Sequence, residues 1–279
     1  MNMSKNIKGR EGFLILLTLS KLFFLFMAFF IWITPVQEAQ AQFQYAKQIT
    51  IDRSKVRSSL SEVTSSGSDT GDVLVNSISW SHTVSGNNRL LIVGVSIRNG
   101  GGQTVLDPDG VTYGAQSLTK IGAIDNGTNV RVEMWYLVAP LTGTDTVTVT
   151  LAASATARFA AGAISLTNVD QGTPIIGGLT SNTGNDDSPT VAVSSASGEL
   201  VVDTLASMND SEATAGAGQD RQWSPTTVSV RGAGSTEPGA ASVNMSWTLG
   251  TASQWAIGAI RVNWTPIATI DNSRGYDFS

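Results

Sequence analysis

The sequence predicts an all-β protein, an antiparallel β-sandwich of about ten strands. Three observations predict it. First, residues 145–166 (DTVTVTLAASATARFAAGAISL) and 241–262 (ASVNMSWTLGTASQWAIGAIRV) align without a gap, 96 positions apart. Val147 falls on Val243, Leu151 on Trp247, Phe159 on Trp255, and Gly162-Ala163-Ile164 on Gly258-Ala259-Ile260. Each copy alternates apolar and polar residues, pauses at small ones, then runs apolar again, which is strand, turn, strand. Second, no segment after residue 42 has helical periodicity, whereas short alternating runs recur between turn-forming residues. Third, the chain has no cysteine. An exported domain of roughly 200 residues must then be held by its core, and it is large enough to be.

The first forty residues stand apart. Lys5, Lys8 and Arg10 make a basic start, residues 22–33 (LFFLFMAFFIWI) are unbroken apolar, and Ala39-Gln40-Ala41 is an A-x-A cleavage signal. That is a secretory signal peptide, a helix within residues 1–41, cut after Ala41. A retained anchor is the rival reading, because residues 13–34 are long enough to span a bilayer; Lys21 in their middle weighs against it. The expected address is secreted or cell-surface, with no membrane contact after cleavage.

Residues 43–52 (FQYAKQITID) alternate and predict one strand. Residues 53–72 are rich in Ser, Thr and Gly and read as a flexible linker, so residues 42–72 are a tethered strand plus linker. The sandwich runs from 73 to 264, and residues 265–279 form a tail. Residues 76–84 put Ile78, Trp80, His82 and Val84 on one face and Ser77, Ser79, Ser81 and Thr83 on the other. Residues 90–97 (LLIVGVSI) are apolar on both faces, as in a strand covered on both sides. Short strands follow at 111–113 and 117–121, then a strand at 129–138. There Val130, Val132, Met134 and Tyr136 share one face, and Arg131, Glu133 and Trp135 the other. Residues 172–187 read as a long connection, 208–226 as a polar loop, 227–231 as a short strand and 232–239 as a turn region. Residues 189–194 and 200–202 repeat the alternating-then-apolar pair of the first half. The two halves therefore read as closing one sandwich, by duplication or by convergence on the same packing.

Charge and chemistry narrow the function. From residue 42 on, 13 Lys and Arg stand against 20 Asp and Glu, a net charge of −7. That disfavours nucleic acid and anionic membranes as partners. His82 is the only histidine, on a core face and with no nucleophile motif to serve, so it reads as structural. Asp107-Pro108-Asp109-Gly110 reads as a turn; with Asp125 it also offers oxygens to calcium, the one cofactor the sequence admits. Catalysis would have to use carboxylates, and only Glu133 and Asp203 lie well inside expected strands. Aromatic residues beside polar ones point instead to sugar binding. Trp135 with Arg131 and Glu133, Trp223 in the loop QDRQWS, and Tyr113 beside turns are the ligand candidates.

Two resemblances add to this. Tyr45 to Asp52 (YAKQITID), followed by Lys55-Val56, resembles the opening strand of an uncharacterised module of large secreted surface proteins that often carry concanavalin A-like or laminin G-like domains. The body is similar to jelly-roll modules of secreted bacterial surface proteins. The residues that carry this are Ser81-His82-Thr83, the run RLLIVGV from Arg89, Val111-Thr112-Tyr113-Gly114, Trp135-Tyr136-Leu137 and the run GAISL from Gly162. These motifs are structural, so the resemblance implies a jelly-roll-like fold and transfers no functional residue. The expected function is a non-catalytic surface module that recognises glycans or a neighbouring surface protein. A polysaccharide hydrolase and a subunit that assembles by exchanging strand 46–52 are the alternatives.

Overall fold

The computed structural model describes residues 61–98, 103–105, 107–152, 156–209, 212–225 and 230–263. The signal segment, strand 46–52, most of the expected strand 227–231 and the tail 265–279 lie outside the described residues.

Among the described residues all regular structure is strand, paired antiparallel throughout. The first half holds β1 Ser61–Asp69, β2 Ser77–Val84, β3 Leu90–Arg98, β4 Val111–Tyr113, β5 Gln116–Ser117, β6 Thr119–Asn126, β7 Val130–Val138, β8 Gly143–Thr150 and β9 Arg158–Thr167. The second holds β10 Ile175–Asp186, β11 Thr190–Val193, β12 Leu200–Ser207, β13 Ala213–Ala215, β14 Asp220–Trp223, β15 Arg231–Pro238, β16 Val243–Leu249 and β17 Ser253–Val262. The expectation of about ten strands in one sandwich is corrected to seventeen strands in four sheets among the described residues.

Each half is a pair of sheets. In the first, β1-β9-β3-β7-β6 faces β2-β8-β4-β5 across a core that includes Leu91, Val93, Phe159, Trp135, Val147 and Val149. In the second, β10-β17-β12-β15-β14 faces β11-β16-β13 across Val201, Leu205, Ile257, Met245 and Trp247. A third core, with Leu90, Ile92, Met134, Ile164, Val202 and Ile260, joins the two five-stranded sheets back to back. The described sheets are therefore stacked four layers deep. This explains why residues 90–97 are apolar on both faces: Leu91, Val93 and Val95 point to their own outer sheet, Leu90 and Ile92 to the other half. The outer face of β2 and β8 is instead a run of hydroxyls, with Ser79 bonded to Thr148 at 3.0 Å and Thr83 to Thr144 at 2.7 Å.

The halves share one plan. The order β1-β9-β3-β7-β6 reappears as β10-β17-β12-β15-β14, strand for strand in chain order. Across the stack the order runs the opposite way, since β1 packs beside β14 and β6 beside β10. That is the arrangement of a two-fold dimer contained in one chain.

Several polar stretches prove to be strands. Residues 61–69, expected in the linker, form β1 and pair with β9 from Ser61–Thr167 to Asp69–Ala160. Within the expected connection 172–187, β10 pairs with β17 along most of its length. The expected polar loop contains β13 and β14, and the expected turn region is β15. Backbone ladders make these strands; side-chain alternation does not mark them, because β1, β10 and β14 lie at sheet edges and β15 packs through glycine. A Cβ at Gly232 would meet Ala160 Cβ at 2.8 Å, and one at Gly234 would meet Trp223 Nε1 at 2.3 Å. Glycine here admits close neighbours.

Candidate functional site

The five ligand candidates fall in three places. Tyr113 lies in the first core, 2 % exposed, and its hydroxyl donates to the Gly143 carbonyl at 2.7 Å. Its ring meets His82 edge-on at 6.4 Å between centroids. His82 belongs to a chain of bonds that ties β1 to its neighbours. Trp80 Nε1 donates to Ser66 Oγ at 2.9 Å, Ser66 lies 2.7 Å from His82 Nδ1, and His82 Nε2 lies 2.7 Å from Ser165 Oγ. In the neutral ring one of these nitrogens donates to its serine and the other accepts from its serine, so the chain of bonds is satisfied in either tautomer. Burial lowers the imidazole from its ordinary 6.5 to about 4, so the ring is neutral at pH 7. The structural reading of His82 agrees with this setting.

Trp135, Arg131 and Glu133 do come together, but inside the protein. Trp135 and Glu133 are both 0 % exposed, so the ring expected as a ligand platform has no surface on which a sugar could stack. The edge strand β6 and the segment at Val105 cover this end of β7. Glu133 Oε1 accepts from Arg131 Nε at 2.7 Å and from the Val105 amide at 3.1 Å. Lys120 Nζ lies 2.9 Å from Oε2 as an ion pair, and also 5.4 Å from the centroid of the Trp135 ring. Arg131 Nη1 bonds Asp125 at 2.6 Å. Burial opposes the charge on Arg131, but its bonds to Asp125 and Glu133 outweigh burial and hold it above its ordinary value. Asp125 is thus bound to a cation at the sheet edge, and among the described residues no three acidic or imidazole groups gather to hold a metal. The set Asp107, Asp109 and Asp125 is not assembled.

The other strand carboxylate, Asp203, is equally enclosed. Its Oδ1 accepts from the Ser235 amide at 2.7 Å and hydroxyl at 2.8 Å, and its Oδ2 from Trp247 Nε1 at 2.7 Å. Burial nevertheless raises it from 3.8 to about 7, against the pull of those donors. Neither Asp203 nor Glu133 has any exposed surface, so a glycosidic oxygen does not reach them.

Trp223 stands at the remaining place. Its ring fills the space left by Gly162 and Gly234 between the two halves and is 5 % exposed, so it is not a stacking platform. Yet it borders an open groove of about 580 Å³ lined by Glu212, Arg221, Gln222, Trp223, Ser224 and Arg231. Arg221 Nη1 lies 3.9 Å from Glu212 Oε1 and 3.4 Å from the Ala213 carbonyl. Arg231 Nη1 lies 3.3 Å from Ser224 Oγ. Two guanidinium groups and one carboxylate, Arg221, Arg231 and Glu212, thus line one concavity. Sequence reading found Trp223 here and missed both arginines.

No family model, curated protein or solved structure matches the chain.

Proposed function

We propose that the protein is an exported, non-catalytic surface module that recognises glycans, built from two jelly rolls back to back. The jelly-roll reading is supported by strand order. In the first half β1-β9-β3-β7 and β2-β8-β4-β5 alternate between sheets as two interleaved antiparallel sets, and the second half repeats the plan through β13. Export rests on the basic start, apolar run and A-x-A signal of residues 1–41.

The observation that carries recognition is the groove between Arg221 and Arg231. It is open to solvent and edged by charged, amide and hydroxyl groups. The buried carboxylates are engaged in bonds that hold strands together. The test is a glycan array probed with the intact protein. Binding to at least one polysaccharide class is expected, and binding to none removes the glycan reading.

A further inference from the structure

The outer sheet of the first half turns one kind of group to solvent. On β2 the outward positions from Ser77 to Thr83 read Ser-Ser-Ser-Thr, and on β8 every outward position from Thr144 to Thr150 is threonine. Thr112 of β4 pairs with Thr148, and Ser117 of β5 with Thr112, so a row of hydroxyls starting at Ser79 crosses all four strands. All of these side chains are exposed or half-buried. β2 and β8 keep one register along their whole length, without a bulge. Asp145, the one charged residue of these four strands, takes the alternate side, opposite His82. Among the described residues no outward position of the sheet carries a charge. Strand propensity accounts for the threonines but does not call for the serines. The matching sheet of the second half breaks the pattern, because the exposed pair Ala192 and Asn244 interrupts it.

We propose that this uncharged grid of serine and threonine hydroxyls on β2, β8, β4 and β5 is a surface that binds ice. Neighbouring strands lie about 4.8 Å apart, and alternate residues lie about 6.7 Å apart along a strand. The prism face of hexagonal ice repeats its oxygens at comparable intervals in two perpendicular directions. The grid is held in place from both sides. Ser79 bonds Thr148 at 3.0 Å and Thr83 bonds Thr144 at 2.7 Å, while the buried Ile78, Val147 and Val149 anchor the backbone beneath. Each such pair uses one proton and one lone pair, and its other proton and lone pairs remain for water. Three other occupants fit less well. A sugar stacks on an aromatic ring, and Trp80 and Tyr113 both take inward positions. A second copy packed sheet on sheet requires interdigitating side chains, whereas these are short and already paired across strands. A charged macromolecule finds no opposing charge here. Ice binding is independent of the glycan groove proposed above.

Slow freezing of a solution of the intact protein around a cold probe tests this, read as the fraction of protein taken into the ice. Recrystallisation in a frozen film is the second readout. The protein is expected to enter the ice and keep its grains small, where a control protein of similar size is excluded. Thr146→Lys with Thr148→Lys puts two charges at the centre of the grid and should abolish both effects at an unchanged Tm. Thr248→Lys, on the outer sheet of the second half, should leave both effects intact. If the lysine pair lowers Tm, Ser81→Tyr decides in its place, since one ring raised above the plane should abolish both effects as well. Exclusion of the unmodified protein from ice, or full uptake of a folded face variant, overturns the proposal. Exclusion from ice together with binding of a neutral β-glucan that the lysine pair removes overturns it in favour of a sugar. Exclusion together with self-association that the lysine pair removes overturns it in favour of a second copy.

Discussion

Gly94 and Thr204 are counterparts in the two halves, and they meet. Each lies four residues into its central strand, Gly94 opposite Gly162 and Thr204 opposite Gly258. A Cβ added to Gly94 would lie 2.1 Å from Thr204 Oγ1. Gly94→Ala is therefore expected to lower stability by about 2 kcal/mol through overpacking. Adding Thr204→Gly should return much of that loss, because the obstructing side chain is gone. Urea unfolding of both single variants and the double variant measures the coupling; strictly additive losses would show that the two positions do not oppose each other.

Stability should depend on pH in two opposed ways. His82 is lowered to about 4 from an ordinary 6.5. Between those values the unfolded chain takes up a proton that the folded chain refuses, so stability falls as pH drops from 6.5 towards 4. Asp203 is raised to about 7 from 3.8. Between those values the folded chain keeps a proton that the unfolded chain releases, so stability falls as pH rises from 3.8 towards 7. From pH 4 to 6.5 the two trends offset, and the profile is expected to be nearly flat. Asp203→Asn removes one of them. Its stability should then climb with pH across that window, with a slope approaching about 1.4 kcal/mol per unit. Denaturant midpoints taken at half-unit intervals read this directly, and a flat profile in the variant would contradict the lowered histidine.

Two of the buried indoles, Trp135 and Trp247, should answer differently to the same replacement. Trp247 Nε1 donates to Asp203 Oδ2 at 2.7 Å, whereas the buried Trp135 Nε1 has no hydrogen-bond partner among the described residues. Trp247→Phe leaves a buried carboxyl oxygen without its donor and should cost about 1–3 kcal/mol more than the change in packing alone. It should also push the Asp203 carboxyl further up. Trp135→Phe removes an unsatisfied donor and should show only the packing change. Equal thermal destabilisation of the two variants would count against the hydrogen bond as the source of the difference.

The parts of this fold that were legible from sequence are those in which side chains announce their surroundings. Residues 90–97 declared two covered faces, residues 76–84 one, and the alignment of 145–166 with 241–262 marked β8–β9 and β16–β17 as equivalents. The illegible parts are held by backbone ladders. β1 reads as linker because Ser65, Ser66 and Gly67 carry no apolar pattern, yet each is in register with β9. β15 reads as a turn because of Gly232 and Gly234, glycines that serve the close approach of Ala160 and Trp223. At the site, Arg131, Glu133 and Trp135 were recognised as a set, but their burial depends on β6 and the segment at Val105, which alternation along β7 does not reveal. The matching of Glu133 with Ala233 lies outside the aligned repeat and emerges only from the paired ladders.

Joining the two sandwiches in one chain removes a restriction that a pair of identical subunits obeys. Across the axis of a homodimer a residue meets its own copy, so any side chain that grows on one side grows on both. Here each side is encoded separately. A bare backbone at Gly94 accepts the larger Thr204, a combination that identical partners cannot present at their axis. The same freedom lets the first copy place Glu133 between Lys120 and Arg131 while the second carries Ala233 at the matching ladder position. Encoding the two sides separately thus lets otherwise matching units differ at single positions, both where they meet and along their ladders.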